Sequence, residues 1–175
     1  MAASATRTFG HTETIADEEV SAYSTQLIRD ADLLVFGRKT YQLMIPYWPD
    51  VIKDPSATET EKEFARTFDS KNKIVFSRSL DRAEGNTRIV RTKLQDEILK
   101  LKQEPGKDIF VGGVDIPSQL IKLGLVDVRF VVQPILARGG RRLLEGVNLP
   151  EKVQLKPVEL KPFKSGCVAL HYLKQ

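Results

Sequence analysis

The chain has 175 residues, 41% of them hydrophobic, enough to bury the core of one ordinary domain. Its formal charge of +4 and pI near 9.2 mildly favour anionic ligands, but 27 basic and 23 acidic residues intermingle along the whole length. That mixing excludes the clustered basic face of a nucleic-acid binder, the single Cys167 excludes an intrachain disulfide, and no window approaches the ~18 consecutive apolar residues of a membrane span.

The first residues, Met1 to Thr8, lack the apolar stretch of an export signal, so the expectation is a soluble, cytoplasmic protein. His11 and His171 have no cysteine or carboxylate at ligand spacing, and no metal site is expected. Cys167, between Gly166 and Val168, reads as a small buried hydrophobe.

From Asp17 to Ala31, Val20, Tyr23, Leu27 and Ile28 recur at helical steps behind an acidic first turn, which predicts an amphipathic helix. The unbroken apolar run Leu33 to Phe36 predicts a strand buried on both faces. A short helix is expected from Thr40 to Ile45, stopped by Pro46 and again by Pro49. Thr58 to Phe68 reads as a surface helix, Lys73 to Phe76 and Thr87 to Val90 as strands, and Lys93 to Gln103 as a helix ended at Pro105-Gly106. A strand at Ile109 to Val111 leads through Gly112-Gly113 to a helix capped by Asp115, with Leu120, Ile121 and Leu123 inward and Gly124 closing it. Val126 to Leu136 is a long β-rich run. Val153 to Phe163 and Gly166 to Leu173 alternate enough to predict an antiparallel pair turning near Lys164-Ser165-Gly166.

Three strand ends suit an anion. Gly37-Arg38-Lys39-Thr40 and Gly112-Gly113 each follow an apolar strand and precede a helix, whose free N–H groups and dipole favour a phosphate. Ser77-Arg78 adds a hydroxyl and a planar guanidinium after a third strand. Together they suggest a long ligand with several phosphates, although each alone has a plain structural reading. Neither G-x-G-x-x-G nor a P-loop occurs. Gly139-Gly140 reads as a hairpin turn or a pocket rim, and Trp48, beside Tyr47 and Pro49, as core or stiff loop, with substrate stacking the lesser reading.

Gly37-Arg38-Lys39-Thr40-Tyr41, Trp48-Pro49, Ile74 to Arg78, Val111-Gly112-Gly113, Gly124 to Asp127, Pro134-Ile135-Leu136 and Gly139-Gly140 follow one another in the order of a known family. From about Ala31 onward the chain resembles the dihydrofolate reductase-like superfamily, in the branch of the reductase domain of the bifunctional riboflavin-biosynthesis deaminase-reductase. The resemblance implies a single domain over residues 1–175 with a three-layer α/β/α fold, a mixed, mostly parallel central sheet and a C-terminal antiparallel strand pair. It also implies NADPH as cofactor. Gly37, Arg38, Lys39 and Thr40 would face its pyrophosphate and adenosine phosphate, Ser77 and Arg78 its 2′-phosphate, and Val111, Gly112, Gly113, Val114 and Asp115 the pyrophosphate and nicotinamide ribose. Tyr41, Trp48, Gly139 and Gly140 would adjoin the substrate. In such folds the paired glycines are often joined by a cis peptide.

The family's opening strand, of the form apolar-x-apolar-Ser-Leu-Asp-Gly, has no match in residues 1–16, so the expected first strand is missing and the chain reads as truncated or divergent there. Asp17, Glu18, Glu19 and Asp115 read as helix-terminal carboxylates, and no catalytic residue is assigned. The expectation is an NADPH-dependent reductase acting on a C=N or C=O carbon of a small heteroaromatic or sugar-linked molecule, in the manner of a ribosylaminopyrimidine or pterin reductase. By analogy it forms a homodimer. The other reading is a non-catalytic binding or assembly protein that retains the fold.

Overall fold

The structure, a computed structural model, describes residues 2–4 (as backbone), 18–136, 143–149 and 152–175. In chain order its elements are β1 (Ala2–Ser4), α1 (Glu18–Asp30), β2 (Ala31–Gly37), α2 (Arg38–Val51), α3 (Glu59–Ser70), β3 (Asn72–Phe76), β4 (Thr87–Val90), α4 (Leu94–Leu101), β5 (Asp108–Gly112), α5 (Asp115–Lys122), β6 (Asp127–Val132), β7 (Leu155–Pro162) and β8 (Val168–Lys174). The chain divides into two compact units, Ser21–Phe110 and the remainder, Met1–Val20 with Val111–Gln175.

In the Ser21–Phe110 unit, β4, β3 and β2 form a parallel ladder, with β5 next to β2. The burial of Leu34, Val35 and Phe36 on successive positions explains their continuous apolar run: both faces of β2 are covered. The core joins Ile28, Leu34, Phe36, Tyr41, Ile45, Phe68 and Val75. α3 begins where its sequence dictates. Thr58 Oγ1 accepts from Glu61 N at 3.2 Å while Glu61 Oε2 accepts from Thr58 N at 2.8 Å, a reciprocal capping box.

Two lysines tie the helix ends to the sheet. The Lys71 ammonium donates to the carbonyls of Arg29 at 2.8 Å and Ala31 at 2.6 Å, and buried Lys73 donates to those of Asp69 at 3.0 Å and Lys71 at 2.8 Å. Each cation thus satisfies acceptors that the end of α1 or α3 leaves open.

The proline stop expected after Ile45 does not occur. α2 runs from Arg38 to Val51 with Pro46 and Pro49 inside it. Each proline removes one i→i−4 hydrogen bond and costs about 3 kcal/mol in an isolated helix. Packing offsets that cost: Ile45 and Val51 are buried, and the Trp48 ring lies 4.3 Å from that of Phe64 on α3, centroid to centroid. Tertiary contacts decide the helix here, not local propensity.

In the other unit, β1 pairs in parallel with β6, Ala2 opposite Asp127 and Ser4 opposite Arg129. A short strand, Ala2–Ser4, thus lies within the segment where the sequence offered no match to the family's opening strand. β8 lies antiparallel between β6 and β7, and the β7–β8 ladder is interrupted by a bulge between Pro157 and Glu159. The turn falls where predicted, with Phe163 N donating to the Cys167 carbonyl at 2.9 Å and Gly166 at φ +83°. Cys167 is fully buried. β6 stops at Val132 rather than continuing to Leu136, because Pro134 supplies no N–H to a ladder. In α5, Val114 rather than Asp115 is the cap residue, and Leu123 is 40% exposed instead of inward, although Leu120 and Ile121 are buried.

Candidate functional site

The parallel register brings three strand ends level. Gly37 stands opposite Phe76, Phe76 opposite Val90, and Ser77 N donates to the Val90 carbonyl at 3.2 Å. Arg38, Ser77 and Arg91 therefore leave the sheet side by side from the carboxyl ends of β2, β3 and β4. Ligands of parallel sheets gather at that edge because helices and loops begin there with unpaired N–H groups.

The α2 N-terminus is open to an anion. Its cap residue, Gly37, has no side chain to hydrogen-bond the first N–H groups, and no acidic residue lies in the first turn. Arg38 extends along the helix and donates to Gln42 Oε1 at 3.0 Å, and Lys39 is exposed. Gly37 itself is extended, at φ −85° and ψ 163°, a conformation any residue adopts. What glycine provides there is the missing Cβ.

Ser77 and Arg78 have different fates. Ser77 is buried, and its Oγ accepts from Ser79 N at 3.3 Å and Leu80 N at 3.0 Å, which folds the chain into a tight hydroxyl-capped turn. Arg78 points its charge to solvent and makes no hydrogen bond or ion pair among the described residues. Two further side chains grip the following loop: the Tyr41 hydroxyl accepts from Glu84 N at 2.7 Å, and Arg91 donates to the Leu80 carbonyl at 2.7 Å.

Tyr41, expected beside the substrate, is thus a core residue, 5% exposed, with its polar atom spent on the loop. Trp48 is half-buried against Phe64, and its Nε1 donates to Met44 Sδ at 3.3 Å. That is the core reading of Trp48. Arg91 was not among the expected site residues. Its signal was its place directly after β4, the same position that Arg38 and Ser77 hold after their own strands.

In the other unit, β5 ends at buried Val111 and Gly112, and Gly113 turns the chain toward α5 at φ +93°. The peptide between the two glycines is trans, as are all peptide bonds among the described residues, so the cis link of the family pattern is not used here. A positive φ at Gly113 makes the turn instead. Val114 caps α5 without a side-chain bond, and Asp115 places a carboxylate in its first turn. That helix start supplies its own negative charge, where α2 supplies none. Gly139 and Gly140 lie outside the described residues.

A depression of about 510 Å³ opens at the opposite, amino edge of the Ser21–Phe110 sheet, lined by Asp32, Asn72, Lys73, Thr87 and Glu104 among others. Its ionic groups serve the fold: Lys73 caps α3, and Asp32 Oδ2 accepts from Lys107 N at 2.6 Å. Burial holds the Lys73 ammonium below its ordinary pKa, with Asp69 opposing the shift. The carboxyl edge, with its unengaged cations, is the better candidate. Among the described residues, no cluster of histidine, cysteine and carboxylates is arranged to hold a metal, and no helix is long and apolar enough to cross a membrane.

Residues 3–169 match the family model described as the RibD C-terminal domain. Over 150 residues the chain is 32% identical to the uncharacterised protein YyaP of Bacillus subtilis (strain 168), covering 85% of this chain and 77% of that one. Among solved structures, it is similar to a protein assigned to riboflavin biosynthesis from Shewanella sp. PV-4, with a TM-score of 0.67 at 18% identity over 100% of this chain and 96% of the other. It is also similar to a pyrimidine reductase-like protein from Corynebacterium diphtheriae, with a TM-score of 0.65 at 15% identity over 99% and 91%. The bifunctional deaminase/5-amino-6-(5-phosphoribosylamino)uracil reductase of Thermotoga maritima matches at a TM-score of 0.65 and 11% identity, and this chain spans 56% of it. A family match over residues 3–169, nearly the whole sequence, on a mixed α/β framework settles the relationship: the chain belongs to the RibD C-terminal domain family.

Proposed function

We propose that the protein is an NADPH-dependent reductase of a small heteroaromatic or sugar-linked molecule, of the ribosylaminopyrimidine or pterin kind. Family membership supports a reductase, and the pyrimidine and riboflavin-pathway names of the structural relatives support the substrate class. The observation that carries the reading is the level carboxyl edge of β2 and β3, which sets an uncapped helix start beside the unengaged Arg78. Those groups suit a dinucleotide carrying an extra phosphate.

In this reading the free N–H groups of Arg38, Lys39 and Thr40 and the Lys39 ammonium hold the pyrophosphate. The Arg78 guanidinium holds the 2′-phosphate, with the Ser77 hydroxyl proton as a second donor. In the other unit, the Asp115 carboxylate, in the helix turn that follows Val111, Gly112, Gly113 and Val114, would suit a sugar hydroxyl better than a phosphate. When bound, the reduced nicotinamide would supply a hydride to the C=N or C=O carbon, with water supplying the proton that the nitrogen or oxygen takes. The chain's own contribution is orientation and exclusion of water. A homodimer, a small-molecule substrate and a reducing cytoplasmic setting complete the proposal.

The test is a titration with NADPH and NADH, followed by nicotinamide fluorescence. NADPH binds saturably and more tightly than NADH, and Arg78→Ala weakens NADPH by roughly tenfold or more while barely changing NADH. Equal losses for both cofactors remove Ser77 and Arg78 from the site. An absence of binding at millimolar concentrations of either cofactor replaces the reductase with the assembly-protein reading.

A further inference from the structure

We infer that Tyr41 and Arg91 are positioning residues that fix the loop after β3 so that Arg78 is presented to a phosphate, and that they thereby set the preference for a phosphorylated dinucleotide. The inference rests on the site proposed above. It adds two residues that touch no ligand.

The loop from Ser77 to Asn86 is held at three separate points, each by a side chain bonded to its backbone. Ser77 Oγ accepts from Ser79 N and Leu80 N at its start, Arg91 donates to the Leu80 carbonyl in its middle, and the Tyr41 hydroxyl accepts from Glu84 N near its end. Leu80 and Ala83 also pack against the core cluster that contains Tyr41. Arg78, by contrast, is exposed and makes no hydrogen bond or ion pair among the described residues; the same holds for Arg82, farther along the loop. The loop is pinned most closely about Arg78, between Ser77 and a Leu80 held at both its N–H and its carbonyl, so this guanidinium is carried on an ordered backbone.

The economy of the arrangement is physical. An arginine on a mobile loop must lose loop entropy when it closes on a phosphate, whereas a loop already ordered leaves only the side-chain rotamers to fix. Tyr41 and Arg91 are well placed to supply that order because both belong to the framework: Tyr41 sits in the first turns of α2, and Arg91 follows the last residue of β4, level with Ser77. Removing either bond leaves the site's chemistry intact and loosens its geometry. The 2′-phosphate contact, which depends on the loop, suffers; the pyrophosphate contact, which depends on α2, does not.

The experiment compares Arg91→Met, Arg91→Lys and Tyr41→Phe with the unmodified protein, measuring dissociation constants for NADPH and NADH and the amide exchange of Glu84. Arg91→Met and Tyr41→Phe each lower the NADPH-to-NADH affinity ratio by roughly three- to tenfold. Arg91→Lys, which can still donate to the Leu80 carbonyl, recovers part of it. Glu84 N–H exchanges faster in Tyr41→Phe. An unchanged ratio in Arg91→Met, in a protein where Arg78→Ala does change it, overturns the positioning role. An unchanged ratio in Arg78→Ala overturns the site reading, and this inference with it. Arg91 is exposed, so its variant decides the matter even if Tyr41→Phe fails to fold.

Discussion

Gly37 and Phe76 face each other at the last rung of the β2–β3 ladder, so α2 and the loop after β3 start from the same height. Under the proposed function the two starts, being separate segments, would divide a dinucleotide between them: the part common to both cofactors would fall to α2, the part that distinguishes them to Arg78.

Lys39→Glu tests that division. The substitution puts a carboxylate into a first turn that has none. A negative side chain there satisfies the helix dipole, stabilising α2 by about 0.3–1 kcal/mol, and competes with any phosphate at the same N–H groups. The expected outcome is a melting temperature equal to or slightly above that of the parent, with NADPH and NADH weakened by the same factor. A loss confined to NADPH assigns Lys39 to the 2′-phosphate instead.

Gly113→Ala makes a different point about glycine. At φ +93° an L side chain is strained, and the replacement costs about 1–3 kcal/mol, read as a lower midpoint in urea unfolding. Gly37, with its ordinary extended backbone, carries no such penalty. A Gly113→Ala variant as stable as the parent places the turn in another conformation.

The two glycines show how far the sequence could be read. Both were visible as residues at strand ends, and both strands and α5 lie close to their predicted bounds, since apolar runs and periodicity are local signals, whereas α2 runs on from its expected end at Ile45 to Val51. What each glycine is for depends on a dihedral angle that composition does not encode. Pro46 and Pro49 failed as stop signals for a related reason: the Trp48–Phe64 contact that outweighs them joins two helices. Tyr41, placed beside the substrate by the resemblance, has its hydroxyl claimed by Glu84 N–H, 43 positions away, a contact that no local pattern announces. Ala2–Ser4 was invisible as a strand, because a segment of 3 residues has no period to detect and is defined only by its pairing with β6.

His171 gives the fold a pH dependence. It lies between Arg129 and Glu159 across the three antiparallel strands, opposite both in register. Burial first, then the Arg129 charge, hold its pKa below the ordinary 6.5, against the opposing pull of Asp127 and Glu159. The folded protein therefore takes up its proton less readily than the unfolded chain does. Stability from this group is complete above the unfolded value and declines as pH falls through it. Urea midpoints measured from about pH 7 to about pH 5.5 fall on acidification, and His171→Gln flattens that part of the slope. An identical slope in the variant assigns the acid sensitivity to the carboxylates.

Lys73 titrates with the same sign in a higher window. Its folded pKa lies below 10.5 because burial disfavours the charge, so the cost of the buried ammonium is present at neutral pH and is relieved as pH rises from the folded value toward 10.5. The same ammonium satisfies the carbonyls of Asp69 and Lys71 and lies 5.0 Å from the centre of the Phe68 ring. Lys73→Met keeps the packing volume but strands those two acceptors at the end of α3, a loss of about 1–3 kcal/mol that exceeds the relief of removing a partly compensated charge. The variant is therefore less stable at pH 7. Because a neutral amine still donates hydrogen bonds while methionine cannot, the difference between parent and variant widens as pH rises toward 10. A difference that narrows over that range shows that the charge, rather than the hydrogen bonds, holds the helix end to the sheet.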